Sequence, residues 1–244
     1  MVLIYHRVGA GSGLEVDLDV GMFRDQIAEL AESGAVVDIE SALELLAAPV
    51  PPPDDRVVIT FDDGTADFAD HVVPVLVEHQ VPATLYVATD FVDRGVPFPA
   101  NGTPLSWSAL SECAATGLVT VGSHTHQHAL LDRLPEGEAE VELDRSIELI
   151  EDRVGTAVRH FAYPKAVAPS AANERAVRRR FASAALAGTR VNPYGRTDVH
   201  RLARSPVQVS DGMGWFRRKV SGGMRLEDDL RSLANRRRYA GQRT

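Results

Sequence analysis

A single cysteine, Cys113, stands in 244 residues, so an intramolecular disulfide framework is excluded and a reducing compartment is expected. In such a setting a lone cysteine reads as a small buried hydrophobe. No stretch approaches the roughly 20 consecutive apolar residues of a membrane-spanning helix. The first residues, Met1-Val2-Leu3-Ile4-Tyr5-His6, lack the basic start and small-residue cleavage site of a secretory leader. They read as a first strand, and the expectation is a cytoplasmic protein. There is no internal repeat and no low-complexity segment. A net charge of −8 argues against non-specific binding of nucleic acid.

The charge is unevenly spread. From Asp211 to Thr244 nine basic residues face four acidic ones, leaving the preceding body strongly acidic. The triplets Arg217-Arg218-Lys219 and Arg236-Arg237-Arg238 flank an expected helix, Leu226–Asn235. A basic end of this kind is expected to be a solvated helical tail, or to contact an anionic membrane from the cytoplasmic side.

Along residues 1–210 apolar strands alternate with helix-period segments. The expected strands are Val2–Val8, Val36–Ile39, Val57–Asp62, Ala83–Ala88, Val119–Ser123, His160–Tyr163, Ser183–Leu186 and Pro206–Val209. Phe23/Ile27/Leu30, Phe68/Val72/Leu76 and Leu143/Ile147/Ile150/Val154 recur at helical spacing and mark amphipathic helices. Near-continuous apolar strands linked by helices predict parallel pairing with both faces covered. Chemistry placed at the ends of several strands favours an α/β barrel over an open sheet, because a barrel gathers its site at one rim. The expected organisation is one barrel domain over 1–210 and a basic helical tail over 211–244.

The chemistry lies in two strand ends. Val57-Val58-Ile59 runs into Thr60-Phe61-Asp62-Asp63-Gly64, placing two carboxylates side by side where a buried strand meets a glycine turn. Ionising both there is costly without a cation. Val119-Thr120-Val121-Gly122 runs into Ser123-His124-Thr125-His126-Gln127-His128. Two histidines four apart and one carboxylate can occupy one face of a divalent metal and leave positions for water and substrate. His126, two residues on, is expected to point away if this segment has helix-like pitch. One carboxylate remains to act as a base, which is the composition of a hydrolytic metal site.

These residues resemble a known family. The Thr60–Gly64 motif, His124-Thr125-x-x-His128, the strand Val81-Pro82-Ala83-Thr84-Leu85-Tyr86-Val87 and Phe161-Ala162-Tyr163-Pro164 are together similar to the polysaccharide deacetylase (NodB-homology, carbohydrate esterase family 4) domain, from about Val2 to Val209. The resemblance implies a distorted (β/α) barrel, a divalent metal and hydrolysis of N-acetyl, sometimes O-acetyl, groups on sugars. It assigns Asp63, His124 and His128 as metal ligands and Asp62 as catalytic base. Zinc is the default metal, with cobalt, nickel or iron also suited to an oxygen-and-nitrogen site. The partner is an acetylated glycan: a poly- or oligosaccharide or a lipid-linked sugar.

Three positions depart from the common pattern. A histidine in a leucine-x-histidine motif on a late strand usually supplies the general acid, yet Pro206-Val207-Gln208-Val209-Ser210 has none. Ile4-Tyr5-His6 offers the pattern on the first strand, as in circularly permuted members, so His6 is the expected acid and His200 the alternative. The usual arginine beside Tyr163-Pro164 is replaced by Ala162, and Arg204 is the expected substitute for orienting Asp62, ahead of Arg201. Lys165 stands where an aromatic is common. Two readings of other classes compete: a non-haem iron oxygenase using the same two-histidine, one-carboxylate set, and an inactive carbohydrate-binding module.

Overall fold

The computed structural model of the chain describes residues 1–222. In chain order the elements are β1 (Val2–Tyr5), β2 (Arg7–Val8), β3 (Asp17–Leu18), α1 (Val20–Ser33), α2 (Ile39–Ala47) and β4 (Val58–Phe61). A π-turn at Phe68–Val72 then leads into α3 (Val73–His79), followed by β5 (Ala83–Val87), α4 (Thr89–Arg94), α5 (Trp107–Ala115) and β6 (Val119–Ser123). The chain continues through α6 (Glu136–Val154), β7 (His160–Ala162), α7 (Ala171–Arg180), β8 (Ser183–Ala185), β9 (Ser205–Pro206) and α8 (Gly212–Val220).

Seven strands form one sheet in the order β8-β7-β6-β5-β4-β1-β9, and every pairing is parallel. The two ends of the sheet approach each other through one short segment. Leu202 exchanges backbone hydrogen bonds with Ala184 and Leu186, and Gly188 N–H donates to Arg204, while Ser205 and Pro206 pair with Leu3 and Ile4 of β1. The sheet is thereby curled into the distorted (β/α) barrel that the family resemblance implies.

Side chains alternate across the strands as the two-residue period requires. Leu3, Tyr5, Ile59 and Phe61 join the large core beneath α1 and α3, where Tyr5 stacks on Phe61 with centroids 5.2 Å apart and Phe61 meets Phe68 edge-on at 5.0 Å. Val2 and Val58 point the other way and meet Ala185, Leu202 and Ile39 in a smaller cluster inside the curl. The helical stripes read from sequence are the buried ones: Phe23, Ile27 and Leu30 on α1, and Leu143 and Ile150 on α6. Cys113 is buried, and burial pushes its thiol up to about 11.

Three expected strands are shorter than their apolar runs. Val2–Val8 breaks at His6, because Arg7 and Val8 leave β4 and pair instead with Asp17 and Leu18. Val36–Ile39 reduces to a single bridge between Val36 and Val57; Asp38 accepts from Ser41 N–H at 2.8 Å and caps α2, which starts at Ile39. Pro206–Val209 ends at Pro206, since Gln208 and Asp211 form a capping box that turns Val209–Asp211 into a helical turn.

Of the basic C-terminal segment, α8 packs on the barrel. Phe216 belongs to the core and the buried Lys219 ammonium donates to Pro206 O at 2.7 Å and to Asp211 at 2.5 Å. Arg217 pairs with Glu29 at 2.8 Å, and the Arg218 guanidinium lies 5.0 Å from the centre of the Trp215 ring. The expected helix Leu226–Asn235 and Arg236–Arg238 lie outside the described residues. Among the described residues no helix is long and apolar enough to cross a membrane.

Candidate active site

The site forms where β1, β4, β6 and β7 run out at one rim. Asp62 N–H donates to Tyr5 O, still in register with β1. The backbone then turns left-handed at Asp63 (φ 76°) and Gly64 (φ 99°), which sends the two neighbouring carboxylates in different directions. A side chain at Gly64 would bring a Cβ to 3.2 Å from Val87 Cγ1, so glycine is required both for its φ and for this approach.

His124 follows β6. Its Nδ1 lies 2.8 Å from Ala162 O; a carbonyl only accepts, so Nδ1 donates there and Nε2 is the atom turned towards Asp63. The histidine segment is not helical, contrary to the helix-like pitch expected. Left-handed backbones at Thr125 (φ 63°) and His128 (φ 57°) fold it back, Thr125 Oγ1 accepting from Ala129 N–H at 2.9 Å and Glu142 from Gln127 N–H at 2.7 Å. His124 and His128 rings meet edge-on with centroids 4.9 Å apart. His126 turns away, with Nδ1 2.9 Å from Thr89 Oγ1.

One ligand-type atom from each of Asp63, His124 and His128 lies within 4.8 Å of the others. Asp63 Oδ1 is 3.6 Å from His128 Nε2 and 3.8 Å from His124 Nε2, too long for hydrogen bonds. Burial, helped by neighbouring His124, holds the His128 pKa down to about 4, so its imidazole is neutral at pH 7. Two imidazoles and a carboxylate converging without bonding one another suit a divalent cation, and these three residues are the ones that would hold it.

Asp62 is held apart from that group. It is 3 % exposed and accepts two hydrogen bonds from Arg204, Nη1 to Oδ1 at 2.6 Å and Nη2 to Oδ2 at 2.8 Å. Burial alone would raise its pKa; the charge of Arg204, then that of His124, outweighs it and brings the carboxyl to about 2. Arg204 is itself fully buried. Its Nε donates to Leu186 O at 3.1 Å, its Nη1 also donates to Thr60 Oγ1 at 3.1 Å, and its guanidinium sits 5.2 Å from the Tyr86 ring centre. Gly122 makes room for that ring, since a Cβ there would lie 2.7 Å from Tyr86 Cδ1. The substitute for the arginine missing at Ala162 thus reaches Asp62 from the closing segment of the barrel. Arg201 instead pairs with Glu174 on the surface.

His6 opens onto the same cleft as Asp62, Asp63, His124 and His128, a cavity of about 630 Å³. Its Nδ1 is buried and has no hydrogen-bond partner among the described residues. His200 is elsewhere, its Nε2 2.8 Å from Phe181 O in the turn Val199–Arg201. Of the eight non-glycine residues with positive φ among those described, Gln80 alone belongs to a plain helix end; the others (Asp63, Ala100, Asn101, Thr125, His128, Lys165 and Ala166) sit in the loops around the cleft. Strain of that kind costs of order 1–3 kcal/mol per residue and persists where surrounding structure enforces it.

Sequence reasoning did not assign the Thr60 hydroxyl, the Tyr86 ring, or Glu142. Thr60 was legible as part of its motif, whereas Tyr86 and Glu142 gain their roles only through tertiary contacts.

The curled parallel sheet matches the (β/α) barrel of the NodB-type deacetylases. The sequence matches the polysaccharide deacetylase family model over residues 50–181, and the chain belongs to that family. Solved structures share the fold. The deacetylase PplD of Streptococcus pyogenes, solved with acetate, superposes with a TM-score of 0.77 at 18% identity, covering 89% of this chain and 96% of that one. IcaB from Ammonifex degensii gives 0.75 at 24% identity, covering 89% and 96%. A polysaccharide deacetylase from Bacillus cereus gives 0.75 at 22% identity, covering 90% of this chain and 68% of that one. No curated protein matches the sequence. Family membership supports a hydrolase that removes acetyl groups from carbohydrate.

Proposed function

We propose that the protein is a metal-dependent carbohydrate N-deacetylase in which Asp62 is the base, His6 the acid and Arg204 the residue that positions Asp62. The observation that carries this reading is the division of labour between adjacent aspartates: Asp63 faces two histidines, while both oxygens of Asp62 are occupied by Arg204. A divalent cation held by Asp63, His124 and His128, zinc by default, would supply Lewis acidity, polarising the acyl oxygen and making bound water more acidic.

The protein's own groups then handle the protons. Asp62 is ionised throughout the neutral range because its pKa lies near 2. Such a carboxylate is a weak base, so it is effective towards an acidified water and not towards bulk water. His6, directly after the neighbouring strand β1, donates a proton to the departing amine nitrogen as the C–N bond breaks, yielding acetate and a free amino sugar. The bidentate clamp from Arg204 fixes which lone pair of Asp62 faces the cleft, and bidentate geometry is what makes arginine suited to that task.

The test is an acetate-release assay on metal-reconstituted protein across N-acetylated sugars, lipid-linked glycans and polymers. Acetate released in step with added metal, and suppressed by chelator, supports the reading. Sugar binding without acetate release identifies a binding module, and aerobic consumption of an oxo-acid identifies an oxygenase.

A further inference from the structure

The cleft holds two cations that acetyl hydrolysis does not use. Lys165 follows β7 in a left-handed backbone (φ 52°, ψ 17°), a conformation glycine would adopt without cost. Its side chain is exposed and lines the cleft, and no hydrogen bond or ion pair joins it to any described residue. Arg7, the first residue of β2, is 4 % exposed and also lines the cleft. Its guanidinium donates to Pro99 O at 2.6 Å and Ala100 O at 3.0 Å, and no carboxylate lies within ion-pair distance of it among the described residues. The two carbonyls accept from it but leave its charge unopposed, an arrangement that is costly for a buried cation.

The carboxylates lining the same cleft are committed elsewhere. Asp62 is engaged by Arg204 on both oxygens, and Asp63 belongs to the metal-ligand cluster. Lys165 and Arg7 are therefore the uncommitted charges of the cleft, both positive, on a chain whose net charge is −8. A metal ion would add to that sign. A cleft of one sign walled by apolar groups such as Phe91, Phe98 and Leu14 focuses attraction on a ligand of the opposite sign.

We infer that the substrate is an acetylated sugar carrying an anionic group, a carboxylate or a phosphate, near the acetamide, and that Lys165 is the residue that selects for it. This rests on the deacetylase reading for the reaction, and on the cleft charges for the selection. Lys165 is the position to vary, because it is exposed and makes no hydrogen bond or ion pair with a described residue, whereas Arg7 also pins the rim loop at Pro99 and Ala100.

The test compares matched sugars on the metal-loaded protein: a neutral N-acetyl amino sugar oligomer, its carboxylate-bearing counterpart and its phosphate-bearing counterpart. For wild type, kcat/KM is expected to favour the matching anionic sugar by about tenfold, the size expected of a charge-assisted contact in a partly shielded site. Lys165→Gln should lose most of that preference, Lys165→Glu should reverse it, and added salt should shrink it in wild type. The carboxylate and phosphate arms identify which anion is selected. Equal kcat/KM for neutral and anionic sugars, or a preference unchanged in Lys165→Glu, overturns the inference while leaving deacetylation intact. If no sugar releases acetate, calorimetric binding of the same sugars decides: tighter binding of an anionic member, lost in Lys165→Glu, upholds the cleft assignment and refutes the reaction; charge-independent binding refutes the assignment.

Discussion

Two histidine clusters occupy opposite edges of the same parallel sheet, and they behave differently. At the start of β7 and β8, His160 bonds Ser183 Oγ through Nδ1 at 2.9 Å and Glu40 through Nε2 at 3.0 Å. His160 and Ser183 are fully buried, their backbones are unstrained, and neither lines the cleft. At the far ends of β4 and β6, His124 and His128 face Asp63 across gaps of 3.6–3.8 Å, with left-handed backbone at Asp63 and His128, along an open cleft. Both clusters contain histidine and carboxylate, and the first even contains a serine. What separates structure from chemistry is unmet valence: the first cluster has spent its lone pairs and protons, and the second keeps them for a ligand.

The sharpest way to break this comparison is to delete one histidine from each end. His124→Ala or His128→Ala should remove the metal and reduce acetate release by at least about 10³-fold, with the far-ultraviolet spectrum unchanged. His160→Ala should keep metal and turnover but destabilise the protein by about 1–3 kcal/mol in urea titration, because Ser183 is left buried without its partner. Full metal occupancy in His128→Ala, or loss of metal in His160→Ala, would exchange the roles assigned to the two ends.

Next in size is the clamp. Arg204→Met leaves Asp62 buried and unpaired, which costs about 3–5 kcal/mol. The sign with pH follows from the depressed carboxyl. In wild type the stabilisation from Asp62 is fully present above about pH 4 and lost as pH falls towards about 2. In Arg204→Met the Asp62 carboxyl rises above its wild-type value, so unfolding curves measured between pH 2 and pH 4 should lose this slope. A variant as stable as wild type throughout would show that the pair carries little energy.

A smaller and more selective effect is expected at His6. His6→Ala should slow amide hydrolysis by about 10²-fold or more, yet slow an activated acetyl ester far less, because that leaving group needs little protonation. Equal losses on both substrates would make His6 a structural residue of the cleft wall.

How much of this was legible in the sequence depends on whether a signal is local. The strand-end motifs at Asp62-Asp63-Gly64 and His124–His128 are local, and so is the amphipathic period of α1 and α6. The end of the last expected strand was misjudged because Pro206-Val207 reads as apolar strand, while the Gln208–Asp211 capping box overrides that pattern. Asp38 did the same at Val36–Ile39. Excluding His126 by helix-like pitch reached the observed placement for the wrong reason, since left-handed Thr125 and His128 do the folding. Arg204 was inferable only from the arginine missing at Ala162. The contact of Gly122 with Tyr86, which supports Arg204, and the carbonyl bonds of Arg7 join residues far apart in sequence and had no local trace.

The smallest expected effect concerns the basic C-terminal segment. Lys219 and Arg217 are already engaged with Asp211 and Glu29, so any peripheral contact with an anionic leaflet, at about 1 kcal/mol per basic residue, would rest on Arg218 and Arg236–Arg238. Sedimentation with anionic vesicles at physiological salt should retain wild type and release a variant with these four changed to glutamine. Equal partition of both would assign the segment to solvent.

The central claim, that adjacent aspartates divide metal binding from base catalysis, is tested most directly by metal analysis of Asp62→Asn and Asp63→Asn side by side. The account predicts a full equivalent of divalent metal in Asp62→Asn with turnover down by about 10²–10⁴-fold, and no metal in Asp63→Asn. Loss of metal from both variants, or near-normal turnover in Asp62→Asn, would contradict it.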